Sequence, residues 1–378
     1  MHDLAIVGGG ILGLAHALAA SRLGLRTVVI DRDAQANGAS IRNFGFVTVT
    51  GQERGEHWRR AMRSRDVWQE IAGPAGIEII HRGSVVVARR PEALAVVEAF
   101  LGTEMGERCE LLSHAALAKR QPELAEGAIG ALWSPHEVRV ESKEAIPRLA
   151  SFLAAHKSVE FRRETAVLSV EPPAVQTSRG PIEARAVVVC PGDDLATLFP
   201  ERIAAYGVER CKLHMLRLAD PGFKLNAAVM ADLSLARYAG FADLPEAAAL
   251  KARIAAELPD TVRNGIHLIV VQSADGSLVV GDSHHYGRTP DPFAPEGIDE
   301  LILDEYRTVF PGWNPSVIAR WTGTYASANR TMFADAPSEN VRLVVITGGT
   351  GASTSFAIAE EVIADLFKTS VDDIRGHA

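Results

Sequence analysis

The chain opens on a short apolar run, Leu4-Ala5-Ile6-Val7, followed by a glycine turn, Gly8-Gly9-Gly10-Ile11-Leu12-Gly13. A helical stretch then runs to Gly24, and a second apolar run, Thr27-Val28-Val29-Ile30, ends in Asp31. Strand, turn, helix and strand in this order predict a βαβ unit. Apolar positions at Trp58, Ala61, Met62, Val67, Trp68 and Ile71 recur at helical spacing. They predict a helix over 57–71 with Arg59, Arg60, Arg63 and Arg65 on a solvated outer face. Residues 77–80 and 83–88 read as two strands joined by a turn, 92–101 as a helix, and Ser113 as the cap of a short helix ending before Pro122. Strands are expected over 128–133 and 136–140, a helix over 144–155, and a small antiparallel ribbon over 159–161, 166–170 and 174–177.

Ala186 to Cys190 is apolar throughout, as in a strand covered on both faces of a parallel sheet, and it leaves through Pro191-Gly192. Residues 211–218 alternate as a strand, and 247–258 form an Ala-rich helix. The runs 267–271 and 278–281 flank Asp275-Gly276, a hairpin signal. A helix over 300–310, a strand over 320–327 and a buried strand over 341–347 follow. A second glycine-rich turn, Gly348 to Ser355, then opens a helix through Phe367.

The opening turn points to a nucleotide. Gly8 permits the tight turn out of the strand, Gly10 lets backbone approach a pyrophosphate, and Gly13 lets the helix lie close to the strand. Phosphates at the helix N-terminus meet free N–H groups and a favourable dipole. Asp31 is placed to accept from a ribose diol, and its charge disfavours a 2′-phosphate and hence NADP. The loop after the second strand of such a fold lies near the cofactor, which makes Arg42 and Asn43 candidates to face its ring system.

With 378 residues, two domains or one large one are expected. The net charge of −8, with no basic tract, argues against a nucleic-acid or anionic-membrane partner. No eighteen-residue apolar stretch or signal-peptide pattern is present, so no membrane span and a cytoplasmic location are expected. Cys109, Cys190 and Cys211 have neither metal-ligand spacing nor an even count, so no disulfide framework is expected; Cys190 reads as a small core residue. His284 and His285 stand beside Gly281 at the mouth of a strand pair and are functional candidates, but no further ligands at suitable spacing accompany them. No metal is therefore expected.

The order of these features is specific. The Gly8–Gly13 start, Gly38-Ala39-Ser40, Val187-to-Gly192, Asp275-Gly276 followed by Gly281, Arg320-Trp321-Thr322-Gly323 and the Gly348–Ser355 turn resemble the D-amino-acid-oxidase-type flavoproteins, with glycine and sarcosine oxidases as relatives, over essentially the whole chain. The resemblance implies an α/β, Rossmann-like FAD-binding domain over 1–80, 141–215 and 322–378. Interleaved with it would be an α+β substrate domain with an antiparallel sheet over 81–140 and 216–321. It also implies FAD, held by Gly8, Gly10, Ile11, Leu12, Gly13, Asp31 and Arg32, and by Ala39, Ser40, Asn43, Phe44 and Gly45. Val167 would meet the adenine, Cys190 and Gly192 the ribityl side, and Gly323, Gly349, Thr350, Gly351, Ala352, Ser353 and Thr354 the flavin end. Relatives with covalent FAD use a cysteine that 323–328 lacks, so binding would be non-covalent.

Amino-acid-oxidising relatives often carry an arginine where this chain has Tyr325, which weakens the case for an ordinary amino acid. The stretches 42–46 and 321–327 look most like a subgroup associated with aminophosphonate breakdown. This implies an N-substituted, N-methyl 2-aminoethylphosphonate oxidised to an imine by hydride transfer to flavin N5, with hydrolysis to an aldehyde and an amine. Electrons would pass on to oxygen or another acceptor. Arg42, Asn43 and Arg330 would bind the substrate, and His284, His285 and Tyr325 would stand at the chemistry. The alternatives are a D-amino-acid, glycine or sarcosine oxidase or dehydrogenase, and a non-catalytic flavin subunit for electron transfer. The oligomeric state is open.

Overall fold

The computed structural model describes residues 1–157 and 159–376. Five strands form a parallel sheet in the order Glu160–Arg162, Thr27–Ile30, His2–Val7, Ile182–Val189, Val341–Gly348. The apolar runs are explained by two covered faces. Leu4, Ile6, Val188 and Val344 pack under the helices Ile11–Arg22, Ser142–His156 and Gly351–Phe367. Their neighbours Ala5, Val187, Val189, Leu343 and Val345 point to the other face, which Val167 and Val175 of an antiparallel ribbon cover. Alternation is therefore present in space though invisible in sequence, because both faces are dry.

The second sheet runs Glu110–Ser113, Gly130–Val140, Ile79–Ala88, Ala228–Ala231, Ile269–Gln272, Leu278–Gly281, Glu209–Leu218, Val317–Ser338. It is mixed rather than antiparallel, because Ala228–Ala231 lies parallel to Ile79–Ala88. The last strand is shared. Its first half pairs with Glu209–Leu218 and its second half with Val341–Gly348, with a register shift between Ser327 and Met332. Glu209–Leu218 belongs wholly to this second sheet.

Two expected turns prove to be irregularities within single strands. Residues 79–88 are continuous, with a register shift around Gly83; a Cβ at this positive-φ residue (+84°) would meet the Trp133 ring. Residues 130–140 likewise form one strand. The helix expected at 300–310 begins earlier, at Glu296. The segment 219–246, for which no element was expected, contains the strand Ala228–Ala231 and the helix Asp232–Arg237.

Of the arginines expected to form a solvated face on the helix Glu56–Ala72, Arg59 is exposed, but Arg60, Arg63 and Arg65 turn to the protein. Arg60 pairs with Glu361 at 2.7 Å, Arg63 pairs with Glu360 at 2.8 Å, and buried Arg65 donates to the His136 carbonyl at 2.8 Å. Glu360 also holds Arg22 at 3.0 Å and Arg375 at 2.8 Å, with its own side chain 2% exposed. Burial alone would raise the Glu360 pKa, but hydrogen bonds from Arg63 and Arg375 outweigh it and hold the carboxyl below its ordinary value.

Replacing Glu360 with Ala takes the carboxylate from Arg375 and leaves Arg22 and Arg63 with Glu70 alone, and a loss of about 3 kcal/mol is expected in urea unfolding with excess FAD. Because the folded pKa is depressed, the wild-type contribution is complete at neutral pH and fades as pH falls through that lowered value. The deficit of the variant must therefore shrink in acid. A deficit independent of pH contradicts the ion-pair account.

Candidate functional site

Parallel pairing puts the carboxyl ends of three adjacent strands at one edge, and each leaves through glycine. Gly8 donates to the Ile30 carbonyl at 2.8 Å, and Cys190 donates to Val7 at 2.8 Å, which locks the first and central exits together. Close packing explains the residue types. A Cβ on Gly8, whose φ is +104°, would collide with the Cys190 carbonyl, and one on Gly13 with that of Gly8. The Cys190 thiol is buried and its pKa is pushed far up by burial, so it stays an unreactive thiol.

Two helices start at this edge, and their N-termini meet. The Cα of Gly351 faces Ile11, whose Cγ2 would lie 3.4 Å from an added Cβ, and the Trp68 indole donates to the Ala352 carbonyl at 2.8 Å. Gly10 and Thr350 sit at the helix starts without a side-chain cap of their own. Ser40 Oγ accepts from the Ile11 amide at 2.9 Å and would be the first atom met by a Cβ on Gly10, at 2.8 Å. Asp31 accepts from the Gly9 amide at 2.5 Å and the Asp33 amide at 2.8 Å, folding its carboxylate onto the first turn. Arg32 is engaged with Asp194 at 2.8 Å, beside Gly192. Val167 follows Thr165, whose amide bonds the Asp31 carbonyl at 2.9 Å. The Thr350 hydroxyl is buried with no hydrogen-bond partner among the described residues. Bare backbone at Gly10, Gly349 and Gly351, two helix ends and an orphaned hydroxyl fit an extended dinucleotide with two phosphates.

Above this edge lies the second sheet. Register sets Tyr286, Cys211 and Tyr325 side by side on three adjacent strands. Tyr325 reaches down to the C-terminal corner, where its Cζ would lie 3.1 Å from a Cβ on Gly349. Gly323, Leu213, Trp321 and Met215 continue the same face, against which the Arg42–Phe46 segment packs. The Trp321 indole donates to the Arg42 carbonyl at 3.1 Å. Arg237, at the end of the helix Asp232–Arg237, donates to Tyr286 Oη at 2.9 Å and is solvent-exposed. Burial pushes the Tyr325 and Tyr286 phenols up, so both remain neutral donors. Arg237 is thus a fixed cation flanked by phenols.

The other candidate residues divide. Arg42 lines an open cleft of about 490 Å³ with Lys143, Arg217 and Trp321, and its guanidinium bonds Asn37 at 3.1 Å. Asn43 is consumed by the fold: it donates to Ala39 and accepts from the Gly45 amide and Ser142, each at 2.7 Å. Phe44 is buried, and a Cβ on Gly45 would strike the Val140 carbonyl. Arg330 is exposed with its guanidinium 5.1 Å above the Tyr206 ring, away from Tyr325. His285 pairs across from Lys212, on the opposite sheet face from Tyr286 and Tyr325, and stands 5.7 Å from the His214 ring. His284 is on the Tyr325 side at 6.5 Å between rings, but its Nδ1 bonds the Gly265 carbonyl at 2.9 Å and its Nε2 faces Asp282. Neither histidine presents a free nitrogen to a substrate beside Tyr325.

The geometry defines a nucleotide-binding fold whose second sheet brings Arg237, Tyr286 and Tyr325 together over its C-terminal glycine corner. Solved structures agree in fold. Glycine oxidase from Bacillus cereus superposes with a TM-score of 0.79 at 16% identity, covering 98% of both chains. L-α-glycerophosphate oxidase from Mycoplasma pneumoniae with FAD bound gives 0.73 at 16%, covering 97% of this chain and 94% of that one. Iminodiacetate oxidase from Chelativorans gives 0.71 at 17%, covering 97% and 95%. No curated protein sequence matches the chain. Residues 3–366 match the family described as FAD dependent oxidoreductase, and the chain belongs to that family. Its cofactor is FAD. Among the described residues no helix is long and apolar enough to cross a membrane.

Gly10→Ala adds a methyl that meets only Ser40, whose Oγ would lie 2.8 Å away, so the fold survives while the phosphate approach is filled. FAD binding should weaken at least about tenfold, on the order of 1.4 kcal/mol, read by flavin retention on gel filtration at unchanged circular dichroism. Undiminished retention would displace Gly10 from the phosphate site.

Proposed function

We propose that this FAD-dependent oxidoreductase oxidises the C–H bond beside the nitrogen of a small N-substituted amine that also carries an anionic group, with N-methyl 2-aminoethylphosphonate as the preferred substrate. The observation that carries the reading is Arg237 with Tyr286 and Tyr325. Lacking the arginine of amino-acid-oxidising relatives at Tyr325, the chain supplies a guanidinium from another element. Arg237 and two neutral phenols are donors suited to the oxygens of a phosphonate. An oxidase of iminodiacetate, itself an N-substituted amine with anionic arms, shares the fold.

Bound FAD supplies the two-electron acceptor. The protein's part is placement. Arg237 and the phenols hold the anion, and the Leu213–Met215 and Trp321 face excludes water from the reacting carbon. The amine arrives neutral; hydride leaves its carbon as the nitrogen lone pair forms the C=N bond. Water then adds, releasing an aldehyde and an amine. Neither His284 nor His285 is needed as a base, which agrees with their engaged or averted nitrogens. A single guanidinium also suits a carboxylate, so a glycine-type substrate is the competing outcome.

Anaerobic titration of the yellow protein separates them. Flavin bleaching is expected with N-methyl 2-aminoethylphosphonate. Bleaching by glycine, sarcosine or D-alanine, with aminophosphonates inert, overturns the substrate assignment. Arg237→Met should raise KM for the anionic amine roughly thirtyfold, about 2 kcal/mol, with kcat less affected. An unchanged KM removes Arg237 from the site.

A further inference from the structure

Behind Tyr286 and Tyr325 the fold collects three buried ligand groups that are scattered in sequence. His267 enters from the start of one hairpin strand, Asp282 from just beyond the end of the next, and His284 from the loop that follows. They are 3%, 4% and 7% exposed. His267 Nδ1 lies 3.2 Å from Asp282 Oδ1, and His284 Nε2 lies 3.8 Å from Asp282 Oδ2. One atom from each residue falls within 4.8 Å of both others.

Hydrogen-bonding chemistry gives the cluster a direction. The His284 Nδ1 contact to the Gly265 carbonyl requires the proton on Nδ1, since a carbonyl only accepts. Neutral His284 therefore aims a lone pair from Nε2 at the Asp282 carboxylate, an arrangement that repels unless a positive species stands between them. His267 turns its Nε2 toward Tyr238 Oη, 3.4 Å away, and its Nδ1, 3.2 Å from Asp282 Oδ1, makes no well-aligned hydrogen bond among the described residues. Asp282 Oδ1 is also buried without one. The nearest guanidinium, Arg237, donates to Tyr286 instead and makes no ion pair with Asp282 among the described residues.

We infer that His267, Asp282 and His284 form a binding site for one divalent transition-metal ion of the Zn²⁺ type. Two imidazole nitrogens and one carboxylate oxygen are its donor set, and ligand separations near 3–4 Å suit metal–ligand bonds of about 2.0–2.2 Å. The outer contacts match what such ligands need. His284 donates its other ring N–H to a backbone carbonyl, which sets its tautomer with Nε2 inward, and the Nε2 of His267 lies against a phenol that can take its N–H when Nδ1 binds the ion. The absence of a metal pattern in the sequence is explained by the hairpin, which joins ligands fifteen residues apart by cross-strand pairing rather than by local spacing. An ion here would brace the Asp282–Tyr286 segment that carries Tyr286 to Arg237.

The test uses FAD-loaded full-length protein, stripped with chelator and equilibrated with Zn²⁺ alone. After gel filtration, elemental analysis should find about one zinc per chain. His267→Gln and Asp282→Asn should each weaken Zn²⁺ binding roughly a hundredfold or more at unchanged flavin content. Should either variant fail to fold, Co²⁺ loading of the wild type decides. Two paramagnetically shifted, exchangeable imidazole N–H resonances are expected, one from each histidine. Wild type that retains no stoichiometric zinc, variants that bind it as tightly, or a cobalt form lacking those resonances overturns the site. None of these measurements depends on the amine being the right substrate.

Discussion

Parallel pairing of His2–Val7, Ile182–Val189 and Val341–Gly348 is the constraint on which the molecule depends. Parallel strands must all end at the same edge, so exits separated by hundreds of residues emerge side by side. At the first exit the backbone must do without a Cβ, because the Cys190 carbonyl already occupies that space beside Gly8, whereas the central exit carries Cys190 and has open space at Gly192. The turn keeps its Gly8, Gly9 and Ile11 amides on Ile30, Asp31 and Ser40, so what it offers a phosphate is the Cβ-free approach at Gly10 and the helix start. Packing and nucleotide recognition are thus met by one choice of residue.

The second sheet is held over this edge by covalent continuity. Val317–Ser338 pairs with one sheet, shifts register, and pairs with the other, so Tyr325 near the crossing point faces the Gly349 corner. The same continuity keeps the Tyr325 phenol against Gly349. The helix Gly351–Phe367 is further clamped by Trp68, Arg60, Arg63 and Arg22, which tie the C-terminal corner to the rest of the first domain.

The electrostatics of the pocket are simple. Burial keeps both phenols neutral and holds His284 well below its ordinary pKa, while Arg237 keeps its charge. Burial also raises the Asp282 pKa to about 7, against the opposing influence of Arg237. Arg237 and the two phenols thus gather one positive charge and two neutral hydroxyl groups close together.

The βαβ opening, the buried strand before Gly192 and the final glycine turn were legible from residue order, because their cause is local: strand length, glycine position and helix start. The family and its cofactor followed from them. Residues 219–246 carried no strong period, since a four-residue buried strand and a six-residue helix leave none to read, and Arg237 went unnoticed with them. Adjacent histidines looked like a pair; strand pleating sends His285 to the far face, while hairpin pairing delivers His284 to His267 and Asp282. What the chain determined by itself was the nucleotide site, which short-range geometry builds. Which side chains surround the substrate, and which face away, was decided only by register between strands distant in sequence, where a shift of one residue exchanges one face for the other.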